Sequence, residues 1–463
     1  AVETRLRPDL PPLALRALQG RLSVARLPGG YALNGQALTF ETGAGLRWPA
    51  SQFSLRHSQA DAAAAEFGAL GERGELRFEQ MDLAIAAQLA GRLPIPDAAR
   101  SKLQALAPRG RVKALQANWR GPMDKPLQYE MSGEVQDLAL ADQPAAKGTG
   151  VPGVEGLQAK FSLNQLGGSA ELSMTGGALR LPGVFEEPVL PLDHLSGALR
   201  WQLQGEQIEL QASDMRFSNA DAEGQAQATW HTGRDAGSRF PGVLALTGTL
   251  RNADGSRVHR YLPLEIPADA RHYVRDSVQS GRASRVQFKV QGDLDKLPFE
   301  RGDGEFRIAA DVHDVNYVYV PPGLQSAGDK PWPALTQLSG ELVFDRASMA
   351  VRNAQGRVAG HPRMQLQQIE ARIANLSHTR VEVKARAQGE LAEMLGFVAG
   401  SPVAGFTQQV LDHAQGSGAA QLQLQLDLPI DHLEQSKVQG SVALAGNSLR
   451  LMPEVPLLSQ IRG

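Results

Sequence analysis

Gln421-Leu422-Gln423-Leu424-Gln425-Leu426-Asp427-Leu428 alternates apolar and polar residues without a break. Successive side chains of a strand point to opposite faces, so the four leucines share one side and the Gln and Asp residues the other. This is the pattern of a half-buried antiparallel strand. The same alternation recurs at Leu199-Arg200-Trp201-Gln202-Leu203, Val286-Gln287-Phe288-Lys289-Val290, Glu305-Phe306-Arg307-Ile308-Ala309 and Val381-Glu382-Val383-Lys384-Ala385-Arg386-Ala387. Glycine or Asn/Asp clusters separate the runs, and 48 Gly with 28 Pro in 463 residues supply many turns. At about 12 to 15 residues per strand and turn, the chain would hold roughly 30 strands. A mainly β chain is expected.

Three segments interrupt the alternation. Pro267 to Ser280 sets Ala270, Tyr273, Val274 and Val278 at helical spacing behind a proline suited to a first turn, and stops at Gly281. Pro94 to Ala107 does the same with Ala99, Leu103 and Leu106. Leu391 to Ala414 is broken by Gly400 and Pro402 and reads as two short helices. Each is followed by a glycine and another alternating run. Leu195-Ser196-Gly197-Ala198-Leu199 is echoed by Leu338-Ser339-Gly340-Glu341-Leu342, and again by Val438-Gln439-Gly440-Ser441-Val442. Echoes of a strand-rich unit point to a sheet that grows by repetition.

Composition removes several classes of function. With 47 Lys plus Arg against 49 Asp plus Glu, the chain lacks the basic footprint that nucleic acid or an anionic bilayer surface calls for. Without cysteine there are no disulfides, thiolate zinc sites or cysteine nucleophiles. The uncharged run Met394 to Leu411, broken by Ser401, Pro402, Thr407, Gln408 and Gln409, is too polar for a transmembrane helix. Ala1-Val2-Glu3-Thr4-Arg5 shows neither initiator Met nor signal-peptide pattern, as expected of a piece of a longer protein.

Catalytic motifs are not found. The ten histidines are scattered, and Asp193-His194 and Asp412-His413 are neighbours in sequence only. Gly446-Asn447-Ser448-Leu449-Arg450 fails as a nucleophile elbow at its last position. Gly148-Thr149-Gly150-Val151-Pro152-Gly153 matches GxGxxG but leads into the strand-like Leu157-Gln158-Ala159-Lys160-Phe161, where a dinucleotide site needs a helix. Arg301-Gly302-Asp303-Gly304-Glu305 and Asn252-Ala253-Asp254-Gly255 lack a full calcium-ligand series and read as hairpin turns.

The apolar ladders then carry the functional question. They are either the core of a β-sandwich or one face of an open curved sheet that something else must cover. A lipid chain would serve, because a 16-carbon tail at about 0.8 kcal/mol per buried methylene gains on the order of 10 kcal/mol before ordering costs.

Arg260-Tyr261-Leu262-Pro263, the helix after Pro267, Ser280-Gly281-Arg282, and Gln291-Gly292-Asp293-Leu294 with Pro298-Phe299 resemble the central region of the YhdP branch of the AsmA-like proteins of Gram-negative bacteria. So do Phe217 to Gly224, Tyr317-Val318-Tyr319-Val320-Pro321-Pro322-Gly323, Trp332-Pro333-Ala334-Leu335 and Leu338 to Leu342. The resemblance implies a long, taco-like antiparallel β-groove with a few covering helices, residues 1–463 forming one continuous segment with helical insertions near 94–107, 267–280 and 391–414. It implies a periplasmic protein that carries phospholipid between inner and outer membranes, anchored in the inner membrane by an N-terminal helix not seen in this chain and meeting the outer membrane or its proteins at the far end. No enzyme activity, cofactor, metal or nucleic acid is implied. The candidate lipid-facing residues are Leu199, Trp201, Leu203, Val286, Phe288, Val290, Phe306, Ile308, Leu422, Leu424, Leu426 and Leu428. The alternative is a non-enzymatic envelope scaffold or assembly protein with a closed β core.

Overall fold

The computed structural model describes residues 2–5, 10–27, 29–43, 45–58, 71–92, 97–123, 125–146, 148–233, 239–325, 328, 330–407 and 410–463. The chain is mainly β, 62% strand against 14% helix. It divides into two compact units, Ala1–Ala220 with Gln227–Arg234, and Asp221–Ala226 with Asp235–Gly463.

In the first unit, β1 (Val2–Thr4), β2 (Leu13–Leu27), β3 (Gly30–Thr42), β4 (Arg47–Ser58), β5 (Arg73–Asp82), β6 (Arg109–Arg120), β7 (Gln128–Leu140), β8 (Gly153–Asn164), β9 (Gly167–Arg180), β10 (Val189–Gln204) and β11 (Gln207–Ser218) pair in sequence order. Every pairing is antiparallel, from β1 with β2 through β10 with β11. The strand β12 (Glu223–His231) gives residues to both units. In the second unit, β13 (Val243–Arg251), β14 (Ala253–Asp254), β15 (Val278–Asp293), β16 (Glu305–Tyr317), β17 (Leu335–Asp345), β18 (Ser348–Val358), β19 (His361–Ile373), β20 (Arg380–Glu390), β21 (Gln415–Ser417), β22 (Ala419–Pro429), β23 (Lys437–Arg450) and β24 (Leu458–Arg462) follow the same antiparallel plan. Among the described residues no pairing joins the last strand of either meander back to its first, so neither closes. The 24 strands of the described residues are fewer than alternation predicts for the chain, because individual strands run to 16 residues.

The helices differ in detail from the sequence expectation. α1 (Leu83–Ala90) was not expected; Asp82 starts it by accepting a 3.1 Å hydrogen bond from the Ile85 amide. α2 spans Asp97–Leu106, and Pro94 to Pro96 lie outside the described residues. α3 spans Ala268–Ser277, and Val278, expected inside the helix, already opens β15. α4 (Leu391–Gly400) and α5 (Val403–Phe406) flank Ser401 and Pro402. Asn252 to Gly255 is not a hairpin turn. It opens the insertion that carries α3, and Asp254 caps a 3-10 turn, Gly255–Tyr261, by accepting from the Ser256 amide.

Bulges recur across both units. Asp314, Gln337, Asn353 and Gln368 lie in successive strands with φ of 52°, 52°, 49° and 50°. Each sits at a register shift, where one strand carries an extra residue. Apolar positions stay on one face across the shift only because their spacing changes there from two to three, as in Val312–Val315, Leu335–Leu338, Val351–Ala354 and Leu366–Ile369. The first unit repeats the device at Ala37, Ala114, Asp137 and Asp214, with φ of 47°, 50°, 54° and 51°. A bulge bends the strand and strengthens its twist, so the slip in period is the written instruction for a bend. Left-handed backbone disfavours a side chain bearing Cβ. Gln337→Gly is therefore expected to raise stability by about 0.5–1 kcal/mol, and the β-branched Gln337→Val to lower it by about 2 kcal/mol. Urea unfolding of the two variants checks this, and equal effects would remove the bulge argument.

Candidate functional site

Register places the apolar residues in continuous rows that run across the strands. In the second unit one row reads Gly248, Phe288, Ile308, Phe344, Met349, Ile373, Val381 and Leu428. The next reads Leu250, Val286, Ala310, Leu342, Val351, Ala371, Val383, Leu426 and Val438, apolar over nine strands. Directly opposed residues of an antiparallel pair share a face, so each row is one strip of a single apolar surface. The first unit has the same construction: Val24, Leu33, Leu55, Leu76, Ala117, Met131, Leu163, Gly168, Trp201 and Leu210 form a row over ten strands.

The opposite face is polar and charged. In the second unit Arg285 pairs with Asp311, Lys289 with Glu305 at 2.6 Å, Arg307 with Asp345 at 3.5 Å and Arg380 with Asp427. The Arg380 guanidinium holds the Asp427 carboxyl below the usual carboxylate range. Exposed pairs of this kind add little to stability, because water screens them; their main consequence is that this face stays in water.

Glycines fit large rings into the apolar face. A Cβ built on Gly35 would stand 2.3 Å from the Phe53 ring, on Gly74 2.0 Å from Trp119, on Gly168 2.5 Å from Trp201 and on Gly248 2.3 Å from Phe288. In each case the ring of the cross-strand partner lies over the space where a side chain would be.

The candidate residues divide by what covers them. Phe288 and Ile308 are direct partners, as are Val290 and Phe306, and all four are half-buried. Leu428 belongs to the Phe288 row and Leu426 to the Val286 row. Leu199, Trp201 and Leu203 pair with Ala212, Leu210 and Ile208 in the first unit. Val286 is buried in a small cluster with Ala283 and Ala310. Leu422 packs against a larger cluster in which Leu391, Met394 and Leu395 of α4 rest on Val358, Met364, Ala387 and Ala420. Leu424 lies between Ala385 and Gly440. Sequence alternation could not name Phe344, Met349 and Ile373, because rows become visible only when partners are known.

Each buried cluster among the described residues draws on a run of neighbouring strands, with or without a helix, and none joins two facing sheets. The sandwich alternative is not realised. Accessible surface agrees: the chain exposes 27946 Å², where a compact monomer of its mass would expose about 17,000 Å² and two separate compact halves about 20,000 Å².

Other chemistry is sparse. Among the described residues no group of three or more His, Asp or Glu could hold a metal. The glycine-rich loop at Gly148 enters β8 rather than a helix. A shallow hollow of about 700 Å³ at the ends of β6 to β10 is lined mostly by polar side chains, among them Gln116, Asn118, Ser162 and Arg200. At the α3 insertion, Tyr273 donates to the Tyr319 carbonyl oxygen at 3.0 Å and meets the Tyr317 hydroxyl at 2.7 Å, and burial pushes the Tyr317 phenol up. Buried Arg271 donates to the carbonyl oxygens of Leu264 and Ile266. The tyrosine contacts fasten the insertion to the end of β16, and the Arg271 contacts brace the insertion internally.

Against this geometry, the family model described as YhdP protein matches residues 1–463. The chain belongs to the YhdP family. Neither a curated protein nor a solved structure matches it. Membership of the YhdP family fits an AsmA-like envelope protein, and neither this family nor an open β-sheet is typical of enzymes. Among the described residues, no helix of this YhdP-family chain is long and apolar enough to cross a membrane.

Proposed function

We propose that this YhdP-family chain is a segment of a periplasmic lipid conduit, whose apolar sheet faces carry phospholipid acyl chains between the inner and outer membranes. The observation that supports it is the apolar row over nine strands of one unit and ten of the other, with no second sheet packed on it among the described residues. An exposed apolar surface of this extent needs an occupant. Acyl chains fit a uniform wall of Leu, Val, Ile, Ala and Phe, which offers contact at every rung and no deep minimum to stop movement. Phosphate head groups would stay in water at the strand ends, since burying a charge without partners is costly. Anchoring in the inner membrane and delivery at the outer one belong to the same reading.

Native mass spectrometry with lipid extraction, on protein purified from the periplasm, tests it. Bound phospholipid is the expected result. A stably folded, lipid-free protein would overturn the conduit and leave a scaffold that uses its open face to bind protein.

A further inference from the structure

The apolar face of the first unit changes character at one end. Away from α1, one rung above the row of Val24, Leu33, Leu55, Leu76, Ala117 and Met131, the register aligns Arg26, Tyr31, His57, Gly74, Trp119 and Tyr129. Residues two apart along a strand share a face, so these groups extend the apolar surface rather than the charged one. Every residue of the rung except Gly74 carries an amphipathic side chain. Tyr31 and His57 rings stand 5.5 Å apart, and Trp119 lies across Gly74. His57 Nδ1 and Trp119 Nε1, on either side of Gly74, are shielded from solvent and have no hydrogen-bond partner. Arg26 is exposed on β2. Below this rim the face is aliphatic and aromatic for several rungs, through Ala117 and Leu115 to Val112 on β6. At about 3.4 Å per residue the drop from Trp119 to Val112 is about 24 Å, more than the roughly 15 Å hydrocarbon half of a bilayer. Tyr and Trp with one apolar and one hydrogen-bonding end are suited to the boundary between acyl chains and head groups.

We infer that this rim binds the phosphodiester and ester region of a glycerophospholipid, with Arg26 facing the phosphate, Tyr31, His57, Trp119 and Tyr129 serving the ester level, and the acyl chains lying on the rungs below. The inference rests on the lipid-carrying reading and adds an orientation and a head-group contact to it. It commits to an anionic phosphodiester because the one charged side chain in the rung is a cation, and its donors are ring N–H and O–H groups.

Phosphatidylglycerol bearing a photoreactive diazirine on the head group, and the same lipid labelled at the acyl terminus, are loaded separately onto the protein, cross-linked and mapped by peptide mass spectrometry. Head-group label is expected at Arg26, Tyr31, His57, Trp119 and Tyr129, and acyl label at Phe53, Phe78 and Leu115. Arg26→Glu, at an exposed position, is expected to lower phosphatidylglycerol retention about tenfold, the loss of a charge-assisted contact, while diacylglycerol without phosphate is retained as before. Head-group label spread equally over Phe53 and Phe78, or an Arg26→Glu loss equal for both lipids, would overturn the rim while leaving the conduit standing. Failure of the unsubstituted protein to take up either lipid would overturn both.

Discussion

Phe288→Asp is expected to cut phospholipid retention by about a hundredfold, while Gln287→Asp, one residue away, leaves it unchanged. Phe288 stands in the row between Gly248 and Ile308, its ring lying over the space a Gly248 side chain would fill. A carboxylate there projects into the path that acyl chains would follow. Setting a charge against hydrocarbon costs about 2.5–3.5 kcal/mol on insertion scales, which is a factor of about 10² in an equilibrium constant. Gln287 is exposed on the opposite face, between Thr249 and Ala309, and a carboxylate there meets water. Lipid extraction and mass spectrometry on the two variants, each first checked for native β circular dichroism, give the comparison. Equal losses would mean that the face assignment fails; retention in both would mean that lipid does not travel over Phe288.

The strands were legible because alternation is a local signal. Leu422 to Leu428 reads as one apolar face in sequence and is one in β22. Whether a given rung is covered was not legible, because the cover comes from elsewhere in the chain. Leu422 packs against the cluster under α4, while Leu426 is paired in register with Val383 and Val438. The Gly168–Trp201 and Gly248–Phe288 pairs were hidden for the same reason, since their members are brought together by register rather than by sequence distance. The bulges were written in the sequence as a single step of three among steps of two, which a search for strict period two treats as the end of a run. α1 was missed because Leu83 to Ala90 is apolar on most sides and lacks the polar stripe of a surface helix, although Asp82 and Gly91 mark its ends.

Uniformity of the rows and irregularity of the connections have separate physical roles. A row of similar side chains makes each rung energetically like the next, which suits movement along the sheet. The bends come from left-handed residues on the exposed side, Asp314, Gln337, Asn353 and Gln368, so curvature is added without placing a polar group on the apolar face. Substitutions at the bulges should therefore alter stability and bend while leaving the chemistry of the apolar face intact.

Phe299→Ala is expected to destabilise the second unit by about 3–5 kcal/mol, the usual cost of deleting a fully buried aromatic ring. Phe299 is 0% exposed, in the connection that joins β15 to β16. Gly292 and Gly304 clasp it: Cβ atoms built there would come within 2.7 and 2.4 Å of the ring. Its amide donates to the Lys296 carbonyl at 2.7 Å, and its own carbonyl accepts from the Gly302 amide at 2.9 Å. The ring thus pins the end of the hairpin that carries Phe288, Val290, Phe306 and Ile308. Gly304→Ala in the presence of Phe299 should cost about 1–3 kcal/mol by overpacking. Combined with Phe299→Ala, the methyl loses its clash with the ring and keeps only its 2.7 Å approach to the Gln291 carbonyl oxygen, so the double variant should be more stable than the sum of the single losses implies. Urea unfolding of the three variants measures the coupling. Strict additivity would show that Gly304 is not kept bare by the ring. A Phe299→Ala loss below about 1 kcal/mol would show that the connection is not anchored by burial of the ring.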